Sequence, residues 1–60
     1  MYAVRTLRGF VSDWDADDRP MFTAYLDDAF IFAGIVGRFN AIRLAATMGG
    51  VVVCLNKGDA

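Results

Sequence analysis

The chain has 60 residues, 57% of them apolar, with seven acidic and six basic residues, one cysteine and no histidine. One cysteine cannot close a disulfide within the chain, and the lack of histidine removes both the commonest metal ligand and the commonest acid–base group. A formal charge of −1, with Arg5, Arg8, Arg19, Arg38, Arg43 and Lys57 scattered, argues against a phosphate-binding face, so no nucleic-acid partner is expected.

"YAVRTL" (2–7) and "FVSDW" (10–14) alternate and are rich in β-branched and aromatic residues. Gly9 between them accepts positive φ, so the two read as an antiparallel hairpin. This opening stretch has no long apolar core and no small-residue cleavage site, so a signal peptide is not expected. "DWDADD" (13–18) and Arg19-Pro20 read as a loop, and "MFTAYL" (21–26) as a third strand that begins after the proline. Asp27-Asp28 are turn or N-cap residues. "AFIFAGIVG" (29–37) is divided between two readings: its aromatics suit a short strand near Phe30–Ala33, and Asp27 as a cap suits a helical turn. "RFNAIRLAATM" (38–48) is the best helix, stopped by Gly49-Gly50 but with no side-chain cap marking its start. "VVVCL" (51–55) reads as a strand buried on both faces, and "NKGDA" (56–60) as a polar tail. The order implies one α+β domain over residues 1–60. A small, mainly antiparallel sheet (the hairpin plus two or three further strands) carries one helix, about 38–48, on one face.

At about 100° per residue, Ile35, Phe39, Ile42 and Ala46 form a stripe expected to face the sheet, and Ala41, Leu44 and Met48 a second ridge on the far side. Strands 2–7, 30–33 and 51–55 are apolar on both faces, yet one helix covers only one face. A domain this small buries only about 60% of the surface its unfolded chain exposes. The apolar surplus therefore implies a second chain, either a symmetric copy or a target protein, drawn by burial worth roughly 25 cal/mol per Å². Arg38, Asn40 and Arg43 interrupt the apolar region 29–55 and are costly inside a bilayer, so a cytoplasmic location is expected. A membrane-associated small protein is the weaker alternative.

The acidic stretch is the sharpest chemical motif. Asp13, Asp15 and Asp17 match the first alternate positions of a calcium loop, but Asp18 stands where a glycine is needed and Ala24 where a bidentate glutamate is needed. No metal and no other cofactor is therefore expected. The remaining readings are a solvated loop, or a bait in which Asp13, Asp15, Asp17, Asp18 and an exposed Trp14 meet arginines of a partner. Together with Leu44 and Met48, these residues form the expected partner-binding set. Asp27-Asp28 on an extended segment point opposite ways and make no acid–base pair. Cys54 in an apolar strand, with no histidine to activate it, reads as a buried structural thiol. The glycines lack phosphate-loop spacing, and Ser12 is the only serine. Neither an enzyme nor a small-molecule substrate is expected.

The pattern "YAVR…GFVSDWD…P.FT…DDAFIF…AIRLAATMGGVVV", with Ala29 and Phe32 in an Ala-x-x-Phe segment, resembles small accessory proteins encoded by bacteriophages and prophages. The resemblance implies an inhibitor of host machinery, anti-CRISPR proteins among them, that acts by occupying a surface of its target. Two function classes follow: such a non-catalytic inhibitor or adaptor, and a self-assembling homodimeric structural or regulatory subunit.

Overall fold

The computed structural model describes residues 1–55. Four strands, β1 (Tyr2–Thr6), β2 (Gly9–Trp14), β3 (Pro20–Thr23) and β4 (Val51–Cys54), form one antiparallel sheet in the order β3-β2-β1-β4. The single α-helix of the described residues, α1 (Gly34–Met48), packs against β1 and β4, giving the small α+β fold expected from the sequence. The tail read at 56–60 lies outside the described residues.

β1 and β2 form the expected hairpin, joined at Leu7-Arg8, with Arg5 opposite Phe10 and Thr6 opposite Gly9. The Thr6 hydroxyl donates to the Gly9 carbonyl at 3.0 Å and accepts the Arg8 N–H at 3.0 Å, so one side chain stitches the turn. Towards the other end of the hairpin the ladder is taken over by a third segment. Phe32 exchanges both backbone hydrogen bonds with Tyr2, each 2.8 Å, and the Phe30 N–H donates to the Val11 carbonyl at 2.9 Å. The strand expected near Phe30–Ala33 is thus a single bridge at Phe32, wedged into the fork of the hairpin.

β2 carries a bulge. Val11 pairs with Phe22 but Asp13 pairs with Met21, so Ser12 is an extra residue on the β2 side. Strict alternation from Val11 would aim Trp14 at the opposite face. The inserted residue restores both to the same side, where Val11 is fully buried and Trp14 packs against it. β3 begins at Pro20 itself, which an edge strand tolerates because the missing N–H need not join a ladder. Asp27-Asp28 lie in a short 3-10 turn, Leu26–Asp28, as the turn reading requires.

The helix departs from expectation in two ways. It starts at Gly34 rather than at residue 38, running through Gly34 and Gly37, so the ambiguous stretch is split between the bridge and the first helical turn. It also presents the opposite face to the sheet. Gly37, Ala41 and Ala45 are buried, and Leu44 and Met48 are half-buried against the core, while Ile35, Phe39 and Ile42 are exposed. Close approach decides the orientation. A Cβ on Gly37 would lie 2.8 Å from the Phe32 backbone carbon, so only a ridge of small residues lets the helix sit this near. The end is as expected: Gly49 adopts φ 68°, and its N–H and that of Gly50 both donate to the Ala45 carbonyl.

The core is correspondingly small. Val4, Val11, Phe32, Ala41 and Ala45 are its buried residues, with Tyr2, Trp14, Phe22, Leu44, Met48 and Val52 packed around them. β4 is an edge strand rather than one buried on both faces, and Val51 is exposed. Cys54, expected to be buried, is exposed as well. No helix of the described residues is long and apolar enough to cross a membrane.

Candidate functional site

The acidic stretch closes the β2–β3 connection. One carboxylate oxygen of Asp15 accepts the N–H groups of Asp17 and Arg19, each at 2.9 Å. The Asp15 N–H donates to the Arg19 carbonyl and the Asp18 N–H to the Asp15 carbonyl, while Asp18 takes φ 61°. Aspartate suits both roles, since its short side chain caps nearby amides and it tolerates the left-handed region. Asp13 accepts its neighbour Trp14's N–H at 2.8 Å. Asp17 lies 3.5 Å from the Arg19 guanidinium, an exposed pair of little energetic weight. The carboxylates are therefore turned to separate local tasks, and among the described residues no group of three or more acidic or thiol side chains could hold a metal ion.

Trp14 does not stand beside this loop as an exposed anchor. It is half-buried, and its ring meets Phe30 edge-on, with centroids 5.1 Å apart and planes at 84°. Phe30 in turn meets Phe32 at 4.8 Å and 71°. This aromatic ladder fastens the bulged strand to the wedge, and beside it Val36, Asn40 and Leu44 of α1 line a shallow groove. Leu44 and Met48, read as an outer ridge, lie on the core side of the helix. Of the expected partner-binding residues, only the aspartates are fully at the surface.

The Ile35, Phe39 and Ile42 stripe, expected to face the sheet, is instead exposed, with Val36 beside it. Ile35 is 76% exposed, Val36 72%, Phe39 61% and Ile42 45%, all on the outer side of α1. The open face of the sheet is more mixed. Pairing of Val4 with Val52 on the helix side puts Arg5 and Val51 on the other, and the bulge puts Asp13 and Met21 there too. The signal that would have found the outer stripe was available in Gly37, Ala41 and Ala45, a small-residue ridge spaced i, i+4, i+8.

No protein-family model, curated protein or solved structure matches the chain.

Proposed function

We propose that this chain is a non-catalytic protein–protein interaction module that docks on another protein through the outer face of α1. One observation carries the reading. Ile35, Phe39 and Ile42 stand exposed on a helix whose opposite face already holds the core. Contiguous apolar surface of this kind marks interaction sites on small proteins. The resemblance to phage accessory proteins directs the reading towards a cytoplasmic inhibitor of a host defence protein, anti-CRISPR-like, acting by occlusion of a surface. The acidic loop becomes a secondary contact, since Asp17 and Asp18 lie at the surface.

The test is affinity capture from a bacterial lysate with the native chain and with Phe39→Asp/Ile42→Asp, both confirmed folded by circular dichroism. A protein held by the native chain and lost by the variant is expected. Capture of nothing, or equal capture by both, would remove the reading.

A second reading, homodimerisation edge to edge, is supported by β4, whose Val51–Cys54 stretch is an apolar edge strand without proline or charge. Sedimentation equilibrium separates it from the first: a dimer lost in Val52→Pro but kept in Phe39→Asp would favour the edge.

A further inference from the structure

We propose that the outer face of α1 receives an acidic amphipathic helix of its partner, whose apolar residues lie along Ile35, Phe39 and Ile42 and whose carboxylates meet Arg38 on one side and Arg43 on the other. The inference rests on the interaction-module reading and specifies the partner's chemistry. At about 100° per residue, Arg38 lies about 40° beyond Ile42 on the helix surface, and Arg43 about 40° beyond Phe39 on the opposite flank. The apolar stripe is therefore bracketed by a cation on each side. Both arginines are exposed, and among the described residues neither forms an ion pair, the one such pair being Arg19 with Asp17. α1 itself, "GIVGRFNAIRLAATM", contains no carboxylate. The complementary surface is a greasy seam flanked by acids, which is the heptad pattern of a helix with Glu or Asp beside its apolar positions.

Charge argues against the other occupants. Pairing α1 with its own copy, parallel or antiparallel, lines both rims with arginine alone, so like charges meet with nothing to neutralise them. An anionic membrane surface would attract the two arginines but repel a chain that carries seven acidic residues and a net charge of −1. A partner helix touches only the arginine-bearing face.

The experiment uses the whole chain and two synthetic helical peptides with the same leucine seam, one flanked by glutamates and one by lysines, read by fluorescence anisotropy at low salt. The glutamate peptide is expected to bind at least about ten-fold more tightly, the size that a few exposed ion pairs supply together. Reversal of both arginines, Arg38→Glu with Arg43→Glu, is expected to invert the preference. Equal affinities, no binding of either peptide, or a preference indifferent to the reversal overturns the proposal. So does a dimer of the chain alone, or its co-sedimentation with phosphatidylserine vesicles, if either is abolished by Phe39→Ser. Lysate capture lost in Phe39→Asp/Ile42→Asp, but without charge preference towards the peptides, would remove the acidic helix and leave the interaction module standing. Capture of nothing would remove the module itself.

Discussion

A single carboxylate, Asp15, decides whether the acidic stretch is a surface for others or part of the fold. It takes two backbone N–H groups into one turn, so Asp15→Ala should cost about 1 kcal/mol in urea denaturation, the scale of a lost side-chain cap, whereas Asp17→Ala should cost almost nothing. The sequence made all the aspartates of 13–18 look alike, because spacing alone does not say which carboxylate bends back onto its own backbone. Gly37 is the second decisive residue. A methyl there would press on Phe32, and the rigid neighbour is backbone rather than a flexible side-chain end. Gly37→Ala should therefore destabilise by about 1–3 kcal/mol although alanine favours helix, a sign reversal that thermal unfolding would show. Trp14, the only tryptophan, reports on its own setting. Deletion of Ser12 removes the bulge but leaves Val11 and Trp14 two positions apart, on one face of a regular strand, so the emission of Trp14 should not move; a shift to the red would mean that the bulge itself holds the contact with Phe30.

The elements themselves were largely legible. The hairpin, the edge strand after the acidic loop, the helix stop at Gly49 and the last strand all follow from alternation, turn chemistry and capping, which are local. The orientation of α1 was not, because both of its faces are apolar and periodicity cannot rank two such stripes. By size alone the larger side chains are the natural core, yet helix-to-sheet distance favours the smaller ones. A matched pair of variants checks this. Phe39→Ser should change stability by less than about 0.5 kcal/mol, as exposed substitutions do, while Ala45→Leu should cost about 1–3 kcal/mol by overpacking. The bridge at Phe32 was also hidden from the sequence, since one residue inserted between two strands leaves no periodic trace.

At the scale of the molecule, the fold stands on few buried atoms. Among the described residues, Val4 and Val11 are the largest side chains completely enclosed, and Phe32 is the one buried aromatic of the core cluster. A domain of this length has a total stability of roughly 3–9 kcal/mol, and truncating a buried phenylalanine costs about 3–5 kcal/mol. Phe32→Ala should thus leave a chain without a cooperative melting transition near room temperature; a clear transition in calorimetry would show that the aromatic ladder is dispensable. The candidate site was legible only in total, as a surplus of apolar residues. Its place on the outer side of α1 depended on the helix orientation, which the sequence left open.

The pairing of β1 with β4 bears on how the chain is made. Tyr2 lies opposite Cys54, and the Leu55 N–H donates to the Met1 carbonyl at 2.7 Å. Within the sheet, β1 leaves the ribosome before β4, so one of its flanks has no strand neighbour until the last described residues emerge. Synthesis proceeds at roughly 5–20 residues per second, so that flank stays bare for seconds. A nascent chain halted after Gly50 would show the hairpin but leave its outer edge open to any passing strand.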